Sequence, residues 1–265
     1  MDTISIIMGV YNCSETLDDA INSILNQTYK NWKLIMCDDA SSDDTYSIAE
    51  GYAQKYNNII LIKNKKNMGL NYTLNKCLEL VDTEYVARMD GDDISLPYRF
   101  EKEIKFLIEH SEYSIVSTNM YYFDENGIWG ISKVIEKPTK EDFIKGTPFC
   151  HAPCMVKTEA YKTVKGYTVE KKLLRMEDYH LWMKMYLNGY VGYNLLEPLY
   201  MMRDDRNASR RRKYRYRINE AYVRSLIIKK FNLPKKNLIY CLRPLVVGLL
   251  PTSIYEMLHK RKIQK

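Results

Sequence analysis

The sequence predicts an α/β protein: a mainly parallel central sheet flanked by helices, followed by a basic helical C-terminal tail. Three observations carry this. Strand-like and helix-like segments alternate through the first ~110 residues, the pattern of a parallel sheet with helices on both faces. The strand segments are short continuous apolar runs, as expected of strands buried on both sides. The chain of 265 residues is long enough to bury a core without disulfides.

Thr3–Val10 is the first strand. Ser14 is a candidate cap for a helix whose Leu17, Ala20, Ile21, Ile24 and Leu25 follow a helical period. Trp32–Cys37 is the second strand, ending at Asp38-Asp39, and Ser41 or Ser42 can cap the helix bearing Ile48, Ala49, Tyr52 and Ala53. Ile59–Ile62, a helix over Gly69–Val81 and the strand Tyr85–Met89 follow. Pro97 fits the first turn of the next helix. After residue 112 the pattern changes. Ser114–Phe123, a turn at Asp124-Glu125-Asn126-Gly127 and Ile128–Ile135 read as a hairpin. His151–Val156 and Val191–Leu196 read as strands, Glu177–Leu187 as a helix stopped by Gly189, and Asn219–Phe231 as a helix.

Composition narrows the function classes. No run of ~18 apolar residues argues for a membrane-crossing helix, and no signal peptide is visible at the first residues. The six cysteines form no paired framework, which points to a reducing cytoplasm. Charge is unevenly distributed. Residues 1–202 hold 22 Lys/Arg and 29 Asp/Glu, while residues 203–265 hold 18 and 4, a net of +14. An anionic partner is therefore expected for the tail alone. Leu238–Pro251 is apolar apart from Arg243 and too short to span, so burial at a membrane interface is favoured over nucleic acid. The alternative packs the tail on the body or on a second copy, as a homodimer.

Parallel sheets bind ligands beyond the carboxyl ends of their strands, and three acidic clusters sit there. Asp38-Asp39 ends the second strand; it can accept from a ribose or base N–H, or simply favour a helix N-terminus. Asp90-Gly91-Asp92-Asp93 follows the fourth strand. Three carboxylates in four residues repel one another unless a cation or buried donors neutralise them. Mg²⁺ or Mn²⁺, shared with substrate phosphates, is the natural solution, and Gly91 would let a diphosphate approach the backbone. Glu177-Asp178 opens a helix, as a favourable N-terminal charge or as a carboxylate that accepts a hydroxyl proton. Cys150-His151-x-x-Cys154 lacks a fourth zinc ligand; His151 is a further candidate near the metal or diphosphate.

Seven motifs, IIMGVYN (6–12), CDDASSDDT (37–45), NMG (67–69), RMDGDD (88–93), FCHAPCMVK (149–157), MEDYHLWMK (176–184) and EPLYMMR (197–203), occur in the order and spacing of one family. Over residues 3 to about 205 the chain resembles the family 2 glycosyltransferases of nucleotide-diphospho-sugar transferase (glycosyltransferase A) fold, nearest to bacterial enzymes of capsule, exopolysaccharide or lipopolysaccharide synthesis. It departs from the family pattern at Met8-Gly9, where proline is common, and at Cys154. The resemblance implies a nucleotide-sugar-binding half over 1–112, an acceptor-binding half of the same domain over 113–205, and a tail over 206–265. It implies that Val10, Tyr11 and Asn12 shape the nucleotide pocket, that Asp39 accepts from the base, and that Asn67 and Gly69 lie beside the nucleotide. Asp90 would approach the ribose and, directly or through water, the metal. Asp92 would coordinate the Mn²⁺ or Mg²⁺, and Asp178 would be the general base. Arg203, with Arg206 beyond it, is a candidate clamp on the diphosphate.

The implied activity is metal-dependent, inverting transfer of a hexosyl or N-acetylhexosaminyl group. A UDP-sugar is the expected donor and a saccharide or lipid-linked saccharide the acceptor, at the inner face of a bacterial membrane. Two alternatives stay open: a nucleotidyltransferase of similar fold, disfavoured because Tyr11-Asn12-Cys13-Ser14 stands where a Gly-rich phosphate loop belongs, and a membrane-associated sugar-nucleotide-binding scaffold without turnover.

Overall fold

The computed structural model describes residues 3–204 and 213–250. The expected βα alternation is present: β1 (Ile4–Val10), α1 (Leu17–Leu25), β2 (Trp32–Asp38), α2 (Thr45–Lys55), β3 (Ile59–Lys63), α3 (Leu70–Leu78) and β4 (Tyr85–Arg88). A two-residue strand, β5 (Ile94–Ser95), precedes α4 (Arg99–Glu109). The second half holds β6 (Ile115–Asp124), β7 (Gly127–Ile131), β8 (Met155–Lys157), α5 (Thr158–Thr163), α6 (Glu177–Leu187) and β9 (Gly192–Arg203). Helices α7 (Tyr214–Lys230) and α8 (Leu242–Gly248) follow.

All nine described strands form one sheet, ordered β3-β2-β1-β4-β8-β6-β9-β5, with β7 paired to β6. The β3-β2-β1-β4 part is parallel, whereas β8 is antiparallel to both β4 and β6. The sheet therefore runs unbroken across the boundary at residue 112, and β6 and β9 pair in parallel at the far side. β6 and β7 make the expected hairpin.

Alternation along the buried strands feeds two cores. Ile4, Ile6, Met8 and Val10 of β1 pack with Leu17, Ile21 and Ile24 of α1 and Phe100, Ile104 and Leu107 of α4. On the other face Ile7, Ile35, Cys37 and Val86 meet Leu74 and Cys77 of α3, Trp182 of α6 and Val223 and Ile227 of α7. Trp182 is fully buried; its replacement by alanine should cost about 3–5 kcal/mol, measurable by urea unfolding.

Several local expectations are corrected. Thr16 and Asp44 occupy the helix N-cap positions expected for Ser14 and Ser41 or Ser42. The serines instead join two loops: Ser14 N–H donates to Asp43, and Asn12 N–H donates to Ser41 Oγ. Tyr98 caps α4, so Pro97 lies outside its first turn. Gly69 is not the first helical residue but the cap, at φ 87°, a conformation that favours glycine. Residues 151–154 are loop rather than strand, β9 runs seven residues past Leu196, and α7 starts at Tyr214.

The early part of the tail belongs to the body. Val223, Ile227, Ile228 and Phe231 are buried, Phe231 packs edge-on against Phe143, and Arg224 donates to the carbonyls of Ile144 and Lys145. Beyond Leu233 the chain packs on α7 rather than into the core, with Gly248 against Tyr214 and Arg217. The 3₁₀ segment Lys235–Cys241 buries no residue, and α8 buries only Pro244.

Candidate active site

The carboxyl ends of β1, β2, β3 and β4 converge, and short polar links weld their loops. Asp39 is buried and its carboxylate accepts from Met68 N–H, Gly69 N–H and Asn64 Nδ2, each at 2.8 Å. Three of its roughly four acceptor positions are thus occupied by the loop that carries Asn67 and Gly69. Asp38 takes the Ser41 N–H at 3.2 Å. Asn12, at φ 48°, accepts from Ser42 N–H through Oδ1 at 2.8 Å. The Val10 side chain is core, whereas Tyr11 is half exposed and Asn67 exposed. Asp39→Ala should cost roughly 3 kcal/mol, since it strands two backbone donors and one amide. Thermal melting would check this, and an unchanged melting temperature would show that the loop holds itself.

The acidic turn joins β4 to β5. Carboxylate oxygens of Asp90, Asp92 and Asp93 lie within 4.8 Å of one another, yet the three acids have different surroundings. Asp90 is gripped on both oxygens by Arg88, at 2.9 and 2.5 Å. Asp93 is buried and accepts the Arg203 N–H at 2.8 Å, which ties the end of β9 to the turn. Asp92 is the exposed member. Desolvation of its carboxyl, then the neighbouring Asp90 charge, push it up to about 6; the same causes push Asp93 up as well. An all-oxygen set of crowded carboxylates fits a hard divalent cation such as Mg²⁺ or Mn²⁺. Asp92 would hold it, with Asp90 able to reach it through water.

Gly91 has a reason within the protein. A Cβ there would lie 2.9 Å from Cys13 Sγ and 3.1 Å from Val10 Cγ1, so the turn can only seat against β1 without one. Thr16 Oγ1 also donates to the Gly91 carbonyl at 3.0 Å.

Asp178 stands at the start of α6 and accepts from Thr147 Oγ1 at 3.2 Å. Burial pushes its pKa upward, opposed by the Tyr179 N–H, Thr147 and the Arg88 charge. The Arg88 charge favours the ionised form of both Asp92 and Asp178, so both carboxyls lie within its electrostatic reach. Glu177 lines an adjacent cleft with Met68, Leu70, Asn71, Val169 and Leu174. His151 bonds Tyr167 Oη at 2.8 Å, and burial, then Arg88, hold its pKa well below the usual value, so the ring is neutral. Arg203 donates from Nε to the Asp92 carbonyl at 3.0 Å and stacks its guanidinium over Phe123. Arg206 lies outside the described residues.

The sequence reading missed Arg88, Thr147 and Tyr200. Arg88 had a signal: a charged residue inside the otherwise apolar strand YVARM must be paired if buried. Thr147 and Tyr200 had none, because only folding brings Thr147 to Asp178 and the Tyr200 hydroxyl to the Asp90 N–H, at 3.2 Å.

Comparison with known proteins agrees with this geometry. Residues 5–164 match the model of glycosyl transferase family 2. EpsE of Bacillus subtilis (strain 168), named as a glycosyltransferase, is 43% identical over 261 residues, 98% of this chain and 94% of the relative. WfaP of Escherichia coli, a UDP-Glc:alpha-D-GlcNAc-diphosphoundecaprenol beta-1,3-glucosyltransferase, is 30% identical over 73% of this chain and 74% of its own. Among solved structures, residues 1–349 of S. aureus TarS with UDP-GlcNAc align with a TM-score of 0.70 at 19% identity, covering 93% of this chain and 71% of that one. The mannosyltransferase PcManGT of Pyrobaculum calidifontis, with GDP-Man and Mn²⁺, aligns at 0.62 and 17% identity, over 98% of this chain and 80% of its own. At such identities the two structures speak for the fold alone, the nucleotide-sugar transferase fold. With the family match covering more than half of the sequence, the chain belongs to glycosyl transferase family 2 and is a glycosyltransferase.

Proposed function

We propose that the protein transfers a hexosyl or N-acetylhexosaminyl group, with inversion, from a UDP-sugar to a hydroxyl of a saccharide or lipid-linked saccharide in bacterial surface-polysaccharide synthesis. Two acidic elements within reach of the Arg88 charge support this: the turn Asp90–Asp93, fit for a cation and diphosphate, and Asp178, fit to take a proton. The WfaP relative, named for a UDP-sugar donor and a lipid-diphosphate acceptor, supports the choice of partners.

A divalent cation, when bound, would supply positive charge to the departing diphosphate. The chain's own residues do the rest. The loop held by Asp39 presents Asn67 and Gly69 to the nucleoside, beside exposed Tyr11. Arg203, anchored through its backbone to Asp93 and through Nε to the Asp92 carbonyl, would turn its terminal guanidinium nitrogens from Asp19, 3.5 Å away, to a phosphate. Asp178 accepts the proton of the acceptor hydroxyl as its oxygen bonds the anomeric carbon. The bond from that carbon to the diphosphate breaks on the opposite face, through an oxocarbenium-like state. One displacement turns an α-linked donor into a β-linked product. The position of Asn12, tied to the 41–42 loop where a nucleotidyltransferase would carry a phosphate loop, favours glycosyl transfer over nucleotidyl transfer. A thermal-shift panel of nucleotides and nucleotide sugars with Mn²⁺ tests the donor: UDP and a UDP-sugar should raise the melting temperature selectively. A shift with GDP-sugars alone would move the assignment.

The lipid-linked acceptor agrees with the C-terminal segment. No described helix is long and apolar enough to cross a membrane. Ile239, Leu242, Val246 and Leu249 recur at helical spacing and are 67%, 56%, 59% and 73% exposed. Lys235, Lys236 and Arg243 flank them. An apolar stripe with a cationic rim suits shallow insertion beside anionic headgroups, each Lys or Arg adding about 1 kcal/mol. Leu242→Glu with Val246→Glu should release the protein from anionic vesicles while leaving donor binding intact. Co-sedimentation at 0.1 M and 1 M salt checks this; equal sedimentation of variant and parent would refute the anchor. A shift from dimer to monomer instead would assign the stripe to a homodimer.

A further inference from the structure

We propose that Arg88 is a positioning residue of the transfer site: by gripping both oxygens of Asp90 it keeps that carboxylate from direct contact with the cation, leaves Asp92 as the direct ligand, and lowers the affinity for free metal. The proposal rests on the reading of the acidic turn as a cation site.

The placement of Arg88 follows from strand geometry. Side chains of β4 alternate, with Tyr85 and Ala87 in the core beneath α1 and α4 and Val86 in the opposite core. Arg88, in phase with Val86, enters the face that carries α6 and its Asp178. It is 4% exposed. A guanidinium so buried needs a partner, and among the described residues Asp90 is the one it bonds, through a two-pronged contact. Its Nε is buried with no hydrogen-bond partner among the described residues, so the fork is committed on one side and open on the other. The strand end is itself braced: Arg99, fully buried and paired with Glu103, donates to the Arg88 carbonyl at 2.9 Å.

The consequence is a division of labour among three acids that spacing alone makes equivalent. Asp93 is spent on Arg203 N–H, Asp90 on Arg88, and Asp92 stays outward. Neutralising Asp90 also removes one negative charge from the field felt by a cation at Asp92. A cation then gains from the donor's diphosphate more than from the bare protein. Arginine serves this role where lysine would not, since only the planar fork holds both oxygens at a fixed angle.

The test compares full-length parent, Arg88→Met and Arg88→Lys for Mn²⁺ binding without nucleotide, read by the electron paramagnetic resonance of free Mn²⁺, alongside kcat and donor KM. Arg88→Met should bind free Mn²⁺ about tenfold more tightly, the effect of deleting a unit charge near the cation across partly screened protein. Its kcat should fall. Arg88→Lys keeps the charge and should leave Mn²⁺ affinity near the parent value, with a lower kcat and little change in donor KM. A purely structural arginine would instead lose thermal stability in both variants and loosen Mn²⁺. A folded Arg88→Met that binds Mn²⁺ no more tightly than the parent overturns the proposal. If Arg88→Met does not fold, Arg88→Lys decides alone, and an unchanged kcat overturns it. A parent that binds no Mn²⁺ with or without UDP would sink the cation reading itself, a result distinct from failure of the Arg88 role.

Discussion

Asp92→Asn is expected to lower turnover by about 10³-fold or more while leaving the fold intact. Charge stabilisation by a metal at a leaving group is worth several kcal/mol, and each 1.36 kcal/mol is a factor of ten. Of the three acids in the turn, Asp92 alone is exposed; Asp90 and Asp93 are committed to Arg88 and to Arg203 N–H. Asparagine removes the charge a cation needs yet keeps the shape. It also relieves repulsion from Asp90, one of the causes that hold the Asp92 carboxyl at about 6. The melting temperature without metal should therefore hold or rise. Steady-state rates at saturating Mn²⁺, with EDTA as the parallel arm, decide the matter: turnover indifferent to both would eliminate the metal role.

Asp178→Asn should lose ~10²–10⁴-fold in kcat, the usual contribution of a general base, and still bind the donor with Mn²⁺. A pH dependence accompanies it. The base works as carboxylate, and burial raises its pKa above the ordinary aspartate value. Activity should therefore be present above that raised pKa and fall as pH drops through it, at higher pH than an ordinary aspartate would give. The Thr147 hydroxyl opposes the rise by donating to the carboxylate. Thr147→Val should accordingly move the acid limb of the kcat profile to higher pH. A limb that stays put would mean that this hydrogen bond does not tune the reacting group. A kcat for Asp178→Asn near the parent value would transfer the role to Glu177, next along α6 and also raised by burial.

Periodicity and acidic punctuation determined much of this protein from the sequence alone. Continuous apolar runs such as ISIIMGV and WKLIMC can be satisfied only between two helical layers, so the parallel β3-β2-β1-β4 core and its helices were legible. The acids placed after those strands fall at carboxyl ends for the same reason, which is why Asp39 and the Asp90–Asp93 turn could be named beforehand; Asp178, which opens α6, is named by the family resemblance instead. What the sequence could not decide is which oxygen faces what. Asp39 looks like a ligand acceptor in one dimension; in three it is also the staple of the Gly69 loop. Gly91 looks like room for a phosphate and is also room for Cys13 and Val10. Two-residue β5 is too short to carry a period, and it exists because β9 runs past Leu196 to meet it. The pairing of Arg88 with Asp90, of Thr147 with Asp178 and of Arg203 N–H with Asp93 joins residues two, 31 and 110 positions apart. Local propensity carries no information about the longer two, and for the nearest it cannot say whether a neighbour in sequence is a neighbour in space. Only the closed sheet, by fixing which face each strand end presents, divides three like carboxylates into an anchored, a paired and an open one.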